Sequence, residues 1–132
     1  MSENLPKPMG LYPMTKQVGN ILFVSGIGPR QAGTDQIPGL TLDKYGNYIT
    51  FNFEEQVHAV FQNVKIALEE GGSGWDKIVD VTVFLTNMKR DFVAYNKIYE
   101  QYFKDVKPTR TTVEITSLPS PIAIELKVIA TI

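Results

Sequence analysis

Lys16-Gln17-Val18 and Ile21-Leu22-Phe23-Val24-Ser25 flank a Gly19-Asn20 pair, and two short runs about such a pair predict a β-hairpin. Farther along, Val57, Val60, Phe61, Val64 and Leu68 recur at helical spacing. Asn52 with Glu55 three residues later marks a helix start, and Gly71-Gly72 marks its end, so this stretch predicts an amphipathic helix with one buried stripe. The nearly continuous β-branched run Ile78–Leu85 suits a central strand covered on at least one face. Phe92, Tyr95, Tyr99, Tyr102 and Phe103 then form the inner stripe of a second helix, which a packed core explains without a base-stacking role. After Pro108, Thr111, Val113 and Ile115 alternate with Thr112 and Glu114, the period of a half-buried strand. A proline-rich corner at 117–121 follows, and a last strand places Ile122, Ile124, Leu126 and Val128 on one face and Ala123, Glu125, Lys127 and Ile129 on the other.

The order β-β-(short β)-α-β-α-β-β predicts one α+β domain over residues 1–132, with both helices on one face of a mixed sheet. Residues 1–10 are expected to be a flexible entry, and 31–50 a polar, glycine-containing connection with some of it at a site entrance. The sheet face carrying Ala123, Glu125 and Ile129 is too apolar for free solvent and too polar for a core, which makes it a candidate for subunit assembly.

Composition narrows the chemistry. A chain of 132 residues with 43% hydrophobic residues can bury a real core as one domain. Its net charge of −1 gives no footprint for nucleic acid or an anionic membrane. No apolar run reaches spanning length and the start lacks a signal-peptide profile, so a soluble cytoplasmic protein is expected. There is no cysteine, and the lone His58 lies off the helical stripe, so thiol chemistry and a His/Cys metal cluster are excluded. Catalysis would have to rest on Arg, Glu, Asp, Tyr, Lys, Thr or Ser.

Glu125 stands mid-strand in an apolar run. With Arg110, fixed just after a proline, it is either a positioned acid/base and anion-binding pair or one of several charges on a solvated face. Ser25-Gly26-Ile27-Gly28-Pro29-Arg30 is either a plain turn or a cradle of main-chain N–H groups, with Arg30 placed to meet an anion or to lie on the surface. It fails as a dinucleotide loop, because the third glycine would fall at Gln31, and as a nucleophile elbow, because Ser25 lacks the preceding glycine. Tyr12 is either a packing aromatic or a pocket wall offering a hydroxyl.

Taken together, Tyr12, Gly19-Asn20, Phe23–Gly26, Gln56, Asn63, Asp91-Phe92, Asn96, Tyr99, Pro108-Thr109-Arg110, Leu118-Pro119, Ile124-Glu125 and Ala130 resemble the RidA/YjgF family of imine and enamine deaminases, from about Gly10 to Ala130. The resemblance implies a chorismate-mutase-like fold of the bacillus type and a homotrimer with sites in clefts between subunits. It also implies a small enamine or imine carboxylate as substrate, with no metal, organic cofactor, nucleic acid or membrane involved. By the same resemblance Arg110 binds the substrate carboxylate, Glu125 places or activates water, Tyr12 lines the pocket and Gly26 shapes its floor. Two positions depart from the family. Thr112 stands where a cysteine is frequent, and Ile27 replaces the usual glutamine, which alters pocket polarity. The runs 25–30, 37–39, 87–92 and 120–125 are similar to the 2-aminomuconate deaminase subgroup, which implies a dicarboxylate whose distal end Arg30 would meet. Two other readings stay open: a non-catalytic binder of small carboxylates, and a ribonuclease or translation inhibitor, against which the acidic balance argues.

Overall fold

The computed structural model describes residues 4–34 and 36–132. Its elements are β1 (Thr15–Val18), β2 (Ile21–Val24), β3 (Leu40–Leu42), β4 (Tyr48–Phe51), α1 (Phe53–Glu70), a 3-10 turn (Trp75–Lys77), β5 (Ile78–Leu85), α2 (Met88–Phe103), β6 (Thr109–Glu114) and β7 (Ile124–Thr131). Five strands make one sheet in the order β1-β2-β7-β5-β6, while β3 and β4 pair separately. Every pairing in the large sheet is antiparallel except β5 with β6, which α2 joins as a parallel crossover.

Both helices lie on one face, as the hydrophobic pattern predicts. Val57, Val60, Phe61, Val64 and Leu68 of α1 are buried against Leu22, Val24, Val81, Val83, Leu126 and Val128 of the sheet. The start of α1 is set by Asn52, whose side chain accepts a hydrogen bond from the Glu55 amide at 3.1 Å, satisfying one of the orphan donors of the first turn. Asn87 does the same for α2 through the Arg90 amide at 3.0 Å.

Among the described residues, no helix covers the opposite face. Strand register places Val18, Ile21, Phe23, Phe84, Val113 and Ile129 there, interleaved with Thr82, Thr111, Glu125 and Lys127. Ile21 and Phe23 are each 40% exposed, so a continuous apolar field on this face meets solvent in the single chain.

Several expectations are corrected. The one short strand expected before the first helix is a pair, β3–β4, closed by an Asx turn in which Asp43 accepts from the amides of Tyr45 and Asn47. The last strand begins at Ile124 rather than Ile122, so Glu125 is its second residue and not central. Ala123 precedes the strand and is buried in the core instead of sharing Glu125's face. Within the second helix only Tyr95 and Phe103 of the aromatic stripe are fully buried. Phe92 and Tyr102 remain partly exposed, and Ile98 takes an inner place that the aromatic pattern concealed. Residues 4–10 carry no helix or strand, yet Leu5 is buried in the core cluster. No helix among the described residues is long and apolar enough to cross a membrane.

Candidate active site

The chemistry-bearing residues fall into two groups on opposite faces of the sheet. Glu125 pairs with Phe84 across β7–β5, and Phe84 pairs with Val113, which fixes Glu125 on the open face. Arg110 pairs with Val81, and Val81 with Val128, both buried beneath the helices, which fixes Arg110 on the other face. The expected Arg110–Glu125 pair is therefore not formed within one chain. Alternation alone cannot reveal this, because it gives the faces of each strand separately and not how those of β6 and β7 correspond.

Around Glu125 the chain builds a cavity lined by Tyr12, Gly26, Ile27, Arg30 and Ser120. Half-burial holds the Glu125 carboxyl above the usual carboxylate range, and among the described residues no donor or cation offsets that desolvation. Gly26 lies directly against it: a Cβ at this position would stand 2.7 Å from Oε2 and 3.0 Å from Cδ. The glycine is thus required for the carboxylate's place, not for a special backbone angle. Just beyond, Ile27 pairs in both directions with Leu126, its N–H donating to the Leu126 carbonyl at 2.7 Å and its own carbonyl accepting at 2.9 Å. Its side chain belongs to the hydrophobic core, so Ile27 borders the cavity as packing. The Arg30 guanidinium donates from Nη2 to the Lys7 carbonyl at 2.7 Å, tying the entry segment to the cavity rim. Ser25 holds the same segment nearer Tyr12, its hydroxyl donating to the Pro13 carbonyl at 2.7 Å.

Two buried amides of α1 fix the loops on either side of this cavity. Asn63 donates from Nδ2 to the carbonyls of Gly28 at 3.0 Å and Arg30 at 2.9 Å. Gln56 accepts from the Ala123 amide at 2.9 Å, two residues before Glu125. Their positioning role is legible only in part from sequence: a Gln and an Asn seven residues apart border the apolar stripe, where a buried polar group needs a partner.

The second group centres on Arg110. Its Nε donates to the Thr112 hydroxyl at 2.7 Å, two residues along the same strand. The guanidinium carbon lies 4.5 Å from the ring centroid of Tyr99, 5.0 Å from that of Tyr95 and 5.8 Å from that of Phe92. Burial pushes both phenols up, and the neighbouring guanidinium offsets only part of the shift, so Tyr95 and Tyr99 stay neutral. These tyrosines, expected to be core aromatics alone, are also the walls around the arginine. His58, off the buried stripe of α1, is exposed and shares a 2.6 Å hydrogen bond with the Tyr102 hydroxyl. Among the described residues no cluster of His, Asp and Glu is grouped to hold a metal.

Residues 2–132 match the family model described as endoribonuclease L-PSP. A RutC family protein of Pyrococcus abyssi is 36% identical over 129 residues, covering 98% of this chain and 92% of the relative. Among solved structures, YyfA of Yersinia pestis, of the conserved Rid protein family, superposes with a TM-score of 0.84 at 31% identity, covering 100% of this chain and 96% of that one. E. coli TdcF with bound serine gives a TM-score of 0.84 at 27% identity, again over 100% of this chain and 96% of the other. Two helices on one face of a mixed sheet in this arrangement are the chorismate-mutase-like fold of these relatives. On sequence, topology and coverage together, the chain belongs to the endoribonuclease L-PSP family, the group that includes the RidA/YjgF proteins.

Proposed function

We propose that the protein is a hydrolytic deaminase of enamine and imine carboxylates, working in clefts where Arg110 of one copy meets the Glu125 cavity of another within a homotrimer. The observation that carries this reading is that the Arg110 guanidinium and the half-buried Glu125 carboxylate lie on opposite faces of one sheet. Neither group makes a site alone, and the exposed apolar face beside Glu125 gives a second copy a surface to bury.

The chemistry follows from the groups. Arg110 takes the substrate carboxylate through its terminal nitrogens, the Nε being committed to Thr112. The enamine tautomerises to the imine by proton transfer from nitrogen to carbon. Water adds to the imine carbon while Glu125 accepts its proton, giving a tetrahedral carbinolamine. That proton passes to the nitrogen, the hydroxyl proton follows it by way of Glu125, and the C–N bond breaks as the carbonyl forms, so that ammonia and a 2-oxo acid leave. A carboxyl held above its ordinary range suits both halves of this shuttle.

A finer substrate class rests on Arg30. Its guanidinium borders the Glu125 cavity, and among the described residues no carboxylate pairs with it. A dicarboxylate such as 2-aminomuconate would place its distal anion there and avoid the cost of burying it unpaired. Freshly generated 2-aminoacrylate and 2-aminomuconate, each followed by ammonia release, test both levels. Release from neither overturns the deaminase reading. If the dicarboxylate is the substrate, Arg30→Ala lowers turnover of 2-aminomuconate far more than of 2-aminoacrylate, whereas equal loss on both assigns Arg30 to holding the Lys7 segment alone.

A further inference from the structure

We infer that Tyr95 and Tyr99 are positioning residues for Arg110: with Phe92 and the Thr112 hydroxyl they form a cradle that fixes the guanidinium plane and reserves its terminal nitrogens for a carboxylate. The inference rests on the reading of Arg110 as the substrate anchor and deepens it.

An arginine on an edge strand ordinarily samples many rotamers, and binding then has to freeze them. Here that freedom is removed in the chain itself. Thr112 accepts from Nε at 2.7 Å, which restricts rotation about the last bonds of the side chain. The ring centroids of Tyr99 and Tyr95 lie 4.5 and 5.0 Å from the guanidinium carbon, within the range where the negative face of an aromatic ring attracts a cation. The rings are themselves braced. Tyr99 stacks on Phe103 with centroids 4.3 Å apart and planes 20° from parallel, and Tyr95 meets Phe61 edge-on at 6.1 Å. No carboxylate of the described residues pairs with Arg110, so its Coulombic demand is left for a ligand.

The tyrosine hydroxyls do not carry this role. Both are buried without a hydrogen-bond partner, so neither holds the arginine through a hydrogen bond. The ring faces do the holding, and phenylalanine should replace tyrosine where an aliphatic residue cannot.

Tyr99 is the position to vary, since it is only partly buried whereas Tyr95 is fully enclosed in the core. The assembled full-length protein would be prepared as wild type, Tyr99→Phe and Tyr99→Leu. The Arg110 Nε–H resonance, one of three from arginines and assigned by its loss in Arg110→Lys, would be followed by ¹⁵N relaxation. Pyruvate, a 2-oxo monocarboxylate, would be titrated by calorimetry. The cradle predicts an ordered Nε–H in wild type and Tyr99→Phe and a mobile one in Tyr99→Leu, with pyruvate binding about tenfold weaker in the leucine variant alone. An equally ordered Nε–H in Tyr99→Leu overturns the inference, and so does a phenylalanine variant that behaves like leucine. The relaxation readout needs neither turnover nor ligand, so absence of deaminase activity would count against the proposed function and leave the cradle standing or falling on its own.

Discussion

Substituting Gly26 by alanine would separate the chemistry of this fold from its stability. The added Cβ would lie 2.7 Å from Glu125 Oε2 and 3.0 Å from Cδ. Ordinary van der Waals contact begins near 3.4 Å, so the carboxylate must retreat by about 0.7 Å or rotate away. The far end of a half-exposed side chain can do this at small cost. Gly26 is also absent from the glycines with positive φ, so alanine brings no backbone strain. Reduced freedom of the unfolded chain even returns about 0.4–1 kcal/mol of stability. Catalysis has no such latitude, because a misplacement of about 1 Å costs on the order of 100-fold, or about 2.7 kcal/mol of barrier. The expected outcome is a melting temperature equal to wild type or a few degrees higher and an unchanged assembly state, with turnover of 2-aminoacrylate lowered about 100-fold, measured as initial rates of ammonia release. A folded Gly26→Ala protein working within about threefold of wild type would remove Glu125's present position from the mechanism.

Arg110→Lys keeps the charge but replaces a planar fork held by Thr112 with a point charge, so kcat/KM should fall by about tenfold or more, and near-normal steady-state kinetics would dismiss Arg110 as the anchor. Phe23→Asp puts a charge on the exposed apolar face without touching the core, so light scattering should show monomer and activity should vanish with it; an active monomer would defeat the intersubunit site. In Arg110→Ala the burial of Glu125 stands unopposed, so its carboxyl should titrate at higher pH than in wild type by ¹³C NMR, whereas an unchanged value would mean that the two groups never meet. The sign for stability follows: with the folded pKa above the unfolded one, Glu125's contribution is present below the ordinary carboxylate pKa and lost as pH rises through the raised value. Adding Glu125→Gln to Arg110→Ala should accordingly stabilise the protein at pH 7 and not at pH 4, checked by thermal unfolding at both.

The elements were legible in sequence because period and punctuation agree for each of them. The stripe of α1, its Asn52 cap and the run Ile78–Leu85 each point one way, and local consistency of that kind specifies structure. Before the first helix the sequence showed one short strand and not the pair β3–β4, because each strand is only three or four residues long and lies outside the main sheet, so no buried face imposes a period on it. At the candidate site, residue identities come through the family resemblance, whereas their arrangement does not. Which face of β6 corresponds to which face of β7 depends on β5 lying between them, and that order is set by long-range pairing. The dual use of Tyr95 and Tyr99 was hidden for a different reason: a ring that packs a core and a ring that cradles a guanidinium occupy the same helical positions.

Two costs of the single chain point to one remedy. An apolar field including Ile21, Phe23, Phe84 and Ile129 lies on a face that no helix of the described residues covers, and a carboxylate on that face is desolvated with no partner among those residues. A fold selected as a monomer would remove each cheaply, with polar residues for the field and a glutamine or threonine for Glu125. Keeping both is economical only if a single event relieves both. On the proposed function, association of copies through the open face would bury the field and would bring Arg110, fixed on the helix face of its own chain's edge strand, toward another copy's Glu125. The arginine arrives already ordered by Thr112 and the tyrosines, so little side-chain entropy remains to be lost when the cleft closes. Assembly and catalytic competence are on this reading one equilibrium, and a substitution that weakens the first should lower activity in a concentration-dependent way that added protein restores.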